Sequence, residues 1–156
     1  MKKSSNPYSK GKSIGNCLPI GDTVPIFPFI EENLNKDILV HFFPNTNNSI
    51  CKYELDTLKM LVNKYTQSNI KVVAIATDKQ EDLDALKASG EYNFDILSDE
   101  SKSISIAYKA LLTEAKSNRS TYLISNGEII WCDSRDNGRN MANYEHLFRG
   151  WRPSKK

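Results

Sequence analysis

Cys51 is the residue of this sequence whose type and position could most directly do chemistry. It follows the polar stretch 45–49 and lies in the first turn of a helix that the three- and four-residue spacing of apolar residues predicts over residues 49 to about 66. The first turn of a helix presents unsatisfied backbone N–H groups and the positive end of the helix dipole. We therefore expect the pKa of the Cys51 thiol to lie below its free value of about 8.5, and Cys51 to act as a nucleophile.

Buried strands are predicted on both sides of this helix. Residues 38–43 form a nearly continuous apolar run that Pro44 ends, and residues 71–77 form a second one, as is typical of strands buried on both faces. A helix is predicted over residues 81–89, with Gly90 in the left-handed position after its last turn. Residues 94–97 are predicted as a short strand or an extended loop, and residues 101–110 as a helix.

A hairpin is predicted near the end of the chain. Asn126 and Gly127 separate two β-rich runs, residues 120–124 and 128–132, and both residue types tolerate the positive φ of a tight turn. Three prolines between residues 18 and 29 favour an extended surface segment before the first strand. Residues 133–140 are predicted as a loop and residues 141–149 as a last helix. This order of elements predicts an α/β protein in which a mixed sheet has helices on both faces.

The length and the charge of the chain restrict its domain organisation and its partners. A chain of 156 residues favours one domain, and we expect a flexible lead over residues 1–16, the domain over residues 17–152 and a basic tail over residues 153–156. The net charge of +2 lacks the basic excess of a nucleic-acid-binding protein, so no nucleic-acid partner is expected. The sequence shows neither a secretory signal nor an apolar run long enough for a bilayer, so no membrane partner is expected.

The three cysteines predict free thiol chemistry rather than a disulfide framework. Cys17, Cys51 and Cys132 form no C-x-x-C pair, at least one thiol must be free in a monomer, and we expect a cytoplasmic protein. Cys132 is expected to be inert packing in a strand, and His41 a hydrogen-bonded core or interface residue rather than a base. The cysteines and the two histidines show no metal-ligand spacing, so neither a metal nor another cofactor is expected.

Several motifs accompany Cys51 in a fixed order along the chain. Pro44 lies seven residues before Cys51, Glu54 lies three residues after it, and Arg119 opens the segment Arg-Ser-Thr-Tyr-Leu-Ile. The other motifs are Gly-Asp-Thr-Val-Pro-Ile-Phe at residues 21–27, Ala-Ile-Ala-Thr-Asp at residues 74–78 and Phe-Asp-Ile-Leu-Ser-Asp at residues 94–99. From residue 21 to about residue 131, this series resembles the motifs of the peroxiredoxins, the thiol peroxidases of the AhpC/TSA type.

The resemblance implies a fold and an activity. The fold would be a thioredoxin-like three-layer α/β/α arrangement with a mixed central sheet. The activity would be that of an antioxidant peroxidase, which reduces hydrogen peroxide or small organic hydroperoxides through a cysteine that cycles via sulfenic acid. By the same resemblance Cys51 is the peroxidatic cysteine, Arg119 holds the thiolate and the peroxide, and Pro44 shields the thiolate from water. Glu54 would support the arginine or the start of the helix rather than act as a base.

Asn48 departs from the family pattern, which has a Thr or Ser hydroxyl three residues before the cysteine. An amide can also donate and accept hydrogen bonds, but the group is larger and differently shaped. We expect Asn48 to donate to the peroxide or the thiolate in an enzyme that is slower or shifted in its substrate. Asn48 would also permit an alternative function, a catalytically weak redox sensor or interaction module of the thioredoxin fold. A dithiol oxidoreductase is a lesser alternative because C-x-x-C is missing at Cys51.

The resemblance also bears on how the sulfenic acid is recycled. Asp56 and Ala85 occupy two of the positions where family members carry a resolving cysteine. We therefore expect a one-cysteine mechanism in which an external thiol of the thioredoxin, glutaredoxin or glutathione type reduces the sulfenic acid. Cys17 is the candidate resolving cysteine if the chain supplies its own, and a homodimer is a further expectation.

Overall fold

Five strands form one mixed sheet in the computed structural model, which describes residues 17–43, 49–64, 70–110 and 119–135. The strands are β1 (Asp37–Phe42), β2 (Ile70–Ala76), β3 (Asp95–Ser98), β4 (Arg119–Ser125) and β5 (Glu128–Arg135). The helices are α1 (Pro28–Glu32), α2 (Ser49–Lys64), α3 (Gln80–Gly90) and α4 (Ser103–Ala107). The strand order is β3-β2-β1-β4-β5, with parallel pairing on the β2 side of β1 and antiparallel pairing on its β4 side.

β1 is the central strand and is buried along its whole length, as the sequence predicts for residues 38–43. Its alternate side chains enter two separate cores, because successive residues of a strand point to opposite faces of the sheet. Leu39 and Phe43 join one core, whereas Val40 and Phe42 join the other. The predicted mixed sheet between two helical layers is confirmed.

We name the two faces of the sheet after the helices that cover them. The α2 face is the core that contains Leu39 and Cys51, and α2 and α3 cover it with four fully or largely buried leucines: Leu55, Leu58, Leu83 and Leu86. The α4 face is the core that contains Val40 and Tyr108, and helix α1 contributes Phe29 and Ile30 to it. Ile104 of α4 packs against the α4 face as a partly buried residue.

Helix α3 ends differently from the prediction. Gly90 belongs to the helix, and Glu91 takes the left-handed position with φ of 52°. A Cβ atom on Gly90 would collide with the ring of Tyr92, so the absence of a side chain serves close packing rather than a positive φ.

Helix α4 and the segment before β1 also differ from their predictions. α4 is shorter than the predicted range 101–110, and the carboxylate of Asp99 accepts hydrogen bonds at its start from the N–H groups of Ile104 and Ser105. The segment 18–29 turns at residues 20–22, where Gly21 has φ of 94°, and reaches Phe27 in an extended conformation. Pro28 then occupies the first turn of α1, where a missing N–H costs no hydrogen bond.

The predicted hairpin is confirmed. Asn126 and Gly127 have φ of 53° and 79°, and β4 pairs with β5 on either side of them. β5 continues to Arg135, so residues 133–135 belong to a strand rather than to the predicted loop. The predicted lead over residues 1–16, the last helix over 141–149 and the tail over 153–156 lie outside the described residues.

Candidate active site

Cys51 lies in the first turn of α2, as the sequence predicts, and its side chain is 1% exposed. It packs in the core of the α2 face together with Leu39 of β1 and Phe43, the residue that follows β1. Cys51 is not part of a disulfide. The fold therefore keeps one thiol at the start of a long helix and shields it from bulk water.

Glu54 is fully buried one helical turn after Cys51. Its Oε1 atom lies 3.2 Å from Nε2 of His41 on β1, a close contact between a carboxylate and an imidazole but not a well-aligned hydrogen bond. A buried carboxylate is costly unless other groups compensate its charge, and the imidazole is one such group. This contact places Glu54 inside the site rather than at the helix surface.

His41 connects α2 to β4. Its Nδ1 atom lies 3.0 Å from Oγ1 of Thr121, which is its direct partner in the antiparallel pairing of β1 with β4. The imidazole also stacks on the ring of Phe43, with centroids 6.0 Å apart. The prediction that His41 is a hydrogen-bonded core residue is confirmed, but its contact with Glu54 did not follow from the sequence.

Asp133 is a further buried acid on the α2 face. It pairs with Thr121 across β4 and β5, two residues after Trp131, which belongs to the α2 face core. Its side chain is fully buried. The sequence prediction for Asp133 was a loop, although its two-residue spacing from Trp131 is a signal that could have extended the strand. We call His41, Glu54, Thr121 and Asp133 the buried polar cluster.

The remaining predicted site residues are only partly described. Arg119 is the first residue of β4, two residues before Thr121, and it pairs with Arg135 of β5. Its side chain lies outside what the structure describes, and so do Pro44 and Asn48 as whole residues. The structure thus places Cys51 one helical turn from the buried polar cluster, and Thr121 of that cluster lies on the strand that begins at Arg119.

The other two cysteines form a disulfide on the opposite face of the sheet. Cys17 and Cys132 are bonded, with their Cα atoms 6.2 Å apart, and Cys132 is fully buried in the core of the α4 face. This corrects the expectation that Cys132 is an inert packed thiol. It also differs from the candidate resolving role of Cys17, because the sulfur of Cys17 is bonded to Cys132 rather than to Cys51.

Comparison with known families identifies the chain. The sequence profile described as "AhpC/TSA family" matches residues 29–131, which include Cys51, Glu54 and Arg119. The chain belongs to the AhpC/TSA family. It is a peroxiredoxin-type oxidoreductase, and its function is that of a thiol-dependent peroxidase. Peroxiredoxins reduce hydroperoxides and are recycled by thiols, and many of them are dimers. No curated protein sequence matches the chain significantly.

Solved peroxiredoxin structures share the fold of this family member. A cysteine-to-serine mutant of PrxQ from Xylella fastidiosa is 18% identical, with a TM-score of 0.74 over 86% of this chain and 96% of that one. AhpC from Mycobacterium tuberculosis is 18% identical, with a TM-score of 0.75 over 86% and 91% of the two chains. Reduced 2-Cys peroxiredoxin from Plasmodium vivax is 22% identical, with a TM-score of 0.71 over 83% and 93%. These similarities confirm the thioredoxin-like α/β fold.

Away from Cys51, the described part of this peroxiredoxin shows a groove but no candidate metal site. Its described residues include no group of three or more His, Cys, Asp or Glu side chains that could hold a metal ion. Within the same ranges, no helix is both long and apolar enough to cross a bilayer. A groove of about 360 Å³ lies between the segment around Ile26 and the helix that contains Ile104, away from Cys51.

Two buried tyrosines tie the α4 face together. The hydroxyl of Tyr122 donates to the carbonyl of Tyr108 at 2.6 Å and accepts from the N–H of Leu18 at 3.1 Å. The hydroxyl of Tyr108 donates in turn to the carbonyl of Pro25. Burial raises the pKa of Tyr122 to about 12, and it raises the pKa of Tyr108 as well. These bonds hold the segment after Cys17 against the sheet.

Proposed function

We propose that Cys51 is the peroxidatic cysteine of this peroxiredoxin and that it works by a one-cysteine mechanism. The observation that carries the proposal is the separation of the three cysteines by the sheet. Cys51 keeps its thiol on the α2 face, whereas Cys17 and Cys132 are bonded to each other on the α4 face. An enzyme with this arrangement has one thiol for the peroxide and takes its reductant from outside the chain.

The chemistry follows from the position of the thiol. The start of α2 supplies positive electrostatic potential, which favours the thiolate of Cys51. The thiolate attacks one oxygen of the hydroperoxide, so that an S–O bond forms as the O–O bond breaks. The leaving oxygen takes up a proton and departs as water or an alcohol, and Cys51 remains as a sulfenic acid.

An external thiol completes the cycle. One thiol attacks the sulfenic sulfur and releases water, which gives a mixed disulfide with Cys51. A second thiol attacks the mixed disulfide, so the Cys51 thiolate is regenerated and the reductant leaves as its own disulfide. Two electrons pass from the two thiols to the hydroperoxide. A reductant of the thioredoxin, glutaredoxin or glutathione type can supply them.

Arg119 is proposed as the cation that holds the thiolate and the peroxide. The register supports this role, because Ser120 pairs with Phe42 and position 119 therefore lies at the end of β1, from which the chain continues toward Cys51. A guanidinium stays charged at every working pH and can donate two parallel hydrogen bonds. Pro44 as the shield of the thiolate and Asn48 as a donor to the peroxide belong to the same proposal.

The compartment and the assembly remain predictions. The expected cytoplasmic location has one observation against it, because disulfides such as that between Cys17 and Cys132 are rare in cytosolic proteins. A homodimer is expected from the family alone.

The proposal can be tested by intact-protein and peptide mass spectrometry. The native protein, with its disulfide in place, is treated with one equivalent of hydrogen peroxide in the presence of a sulfenic-acid trap. We expect the adduct on Cys51 within seconds and an unchanged bond between Cys17 and Cys132, with no adduct in the Cys51→Ser control.

Two results of this experiment would contradict the proposal in different ways. A new disulfide between Cys51 and Cys17 would replace the one-cysteine mechanism by a two-cysteine mechanism. A Cys51 thiol that stays reduced would favour the second candidate function, a redox sensor or interaction module. The observation behind that candidate is Asn48, which stands where the family has a hydroxyl.

A further inference from the structure

A buried imidazole stands between the two elements that carry the proposed catalytic residues. His41 contacts Glu54, one turn after Cys51 on α2, and Thr121, two residues after Arg119 on β4. We propose that His41 is a positioning residue that fixes the Glu54 carboxylate and thereby sets the reactivity of Cys51. This inference rests on the proposed function of Cys51 and adds a residue that acts through Glu54.

The geometry selects one arrangement of protons on the imidazole. Nε2 lies 3.2 Å from the Glu54 carboxylate, and a lone pair directed at an ionised carboxylate would be repelled by it. A hydrogen on Nε2 is therefore the arrangement that suits an ionised Glu54. The hydroxyl of Thr121 can then donate to Nδ1 at 3.0 Å, so that both ring nitrogens have a role. His41 thus stabilises the negative charge of Glu54 and restricts the direction in which the carboxylate points.

The charges around His41 make this role specific. Glu54 faces it from α2 and Thr121 from β4, whereas its partner in β2 is the uncharged Ala74. Asp133 lies one strand further away, opposite Thr121. Among the described buried side chains, His41 is the one that can carry a positive charge. Of the three described buried acids on this face, Asp37 lies at the start of β1 and accepts a hydrogen bond from Ser125, whereas Glu54 and Asp133 lie near His41.

The consequence for Cys51 runs through Glu54. A carboxylate that His41 fixes one helical turn after Cys51 favours a cation near the thiol, the role proposed for Arg119, and such a cation favours the thiolate. Loss of the imidazole leaves a buried carboxylate without this compensation. The carboxylate is then held less firmly, and the proposed cation is less strongly favoured. Cys51 becomes a weaker nucleophile although its own surroundings in the core are unchanged.

Two amide substitutions separate the two contacts of His41. In His41→Gln the side-chain amide nitrogen can reach the place of Nε2 and keep a donor beside Glu54. In His41→Asn the shorter side chain can keep the contact with Thr121 but not the contact with Glu54. We expect the rate constant for oxidation of Cys51 by hydrogen peroxide to stay within about threefold in His41→Gln and to fall about tenfold in His41→Asn.

A second readout does not need peroxide. The rate of Cys51 alkylation by iodoacetamide is measured against pH, which gives the apparent pKa of its thiol. We expect this pKa to rise in His41→Asn and to stay near the native value in His41→Gln. Met60→Ala, at an exposed position of the same helix, is the matched control and should leave both readouts unchanged. In a Glu54→Gln background, His41→Asn should cause no further loss, because its effect passes through the carboxylate.

Equal losses in His41→Gln and His41→Asn, or a His41→Asn loss that persists in the Glu54→Gln background, would overturn the inference. Should His41→Asn fail to fold, the single variant Glu54→Asp can replace it, because the shorter side chain withdraws the carboxylate from Nε2. The rate constant for oxidation of Cys51 should then fall by about tenfold as well. An unchanged rate in Glu54→Asp would also overturn it. A failure of the proposed function would give a different result. In the native protein, Cys51 would then be alkylated with the expected pH profile but would not react with peroxide.

Discussion

On the α2 face of the sheet, Cys51 keeps its thiol beside a buried imidazole and a buried carboxylate. On the α4 face, Cys17 and Cys132 are joined in a disulfide among tyrosines whose hydroxyls bond to backbone groups. Cys51 and Cys132 are each almost fully buried, whereas Cys17 is partly buried. The environments of Cys51 and Cys132 differ in charge rather than in exposure.

Strand β5 contributes side chains to both of these environments. Trp131 and Asp133 of β5 belong to the α2 face, and Cys132 between them belongs to the α4 face. The register of β5 shifts by one residue at Ile130, since Leu123 pairs with Trp131 whereas Ile124 pairs with Ile129, and this bulge places Cys132 on the α4 face and Asp133 on the α2 face. We therefore assign chemistry to one face and stability to the other, and each prediction below tests that division.

The largest expected effect is on the α2 face. Cys51→Ser should lower the rate of hydroperoxide reduction by about 10³-fold or more, because a serine hydroxyl is not ionised at neutral pH. The Cys17–Cys132 disulfide should still form in this variant. The measurement is peroxide consumption with an excess of a small dithiol reductant, together with a thiol count. Residual activity within tenfold of native would show that the division is wrong.

Removal of the disulfide should act mainly on stability. The double variant Cys17→Ser and Cys132→Ser opens a link between residues 115 positions apart in the sequence, and we expect it to lower the free energy of unfolding by about 2–5 kcal/mol. Urea denaturation of the double variant beside the native protein measures the change. An unfolding free energy equal to that of the native protein would mean that the bond does not fasten the α4 face.

Deletion of one hydroxyl on each face gives a matched comparison. Thr121→Val removes the partner of His41 Nδ1, and Tyr122→Phe removes the donor to Tyr108, each at a cost of about 1 kcal/mol in stability. Only Thr121→Val should slow the oxidation of Cys51, by about threefold, since only that hydroxyl belongs to the buried polar cluster. Stopped-flow oxidation and urea denaturation separate the two effects. A similar slowing in both variants would contradict the division.

The effect that is smallest at neutral pH is a pH dependence that arises on the α4 face. The pKa of Tyr122 is raised from 10.0 to about 12 in the folded protein, so its neutral form is favoured by folding. The unfolded chain loses this proton first as the pH rises, and the stabilisation is complete below pH 10 and lost between pH 10 and about 12. Tyr122→Phe should make the unfolding free energy fall less steeply over this range. An identical slope in both proteins would exclude Tyr122 as its source.

Much of the fold could be predicted because its signals are local. The apolar run of β1, the helical spacing of α2 and the Asn126-Gly127 turn each specify an element within one stretch of sequence. The end of α3 could not be predicted in this way. Gly90 is a typical terminator, but the ring of Tyr92 packs where its Cβ would be, which is a tertiary contact that the local pattern does not contain.

Site residues within one helix could be predicted from the sequence, whereas those contributed by different strands could not. Cys51 and Glu54 are three residues apart in one helix, so the spacing alone put them on one side. His41 and Asp133 join them only through the pairing of β1, β4 and β5, which no local pattern reports. The disulfide was missed for the same reason, since 115 residues separate its two cysteines. Their pairing depends on how the segment after Cys17 packs against the α4 face.

The central claim is that Cys51 carries the peroxidase reaction without the other two cysteines. The most direct test is steady-state turnover of hydrogen peroxide by the double variant Cys17→Ser and Cys132→Ser, with an external dithiol as reductant, at a temperature where the variant is folded. We predict a kcat/KM within about threefold of the native value. A loss of about 100-fold or more in a folded variant would contradict the claim, because the disulfide cysteines would then take part in turnover.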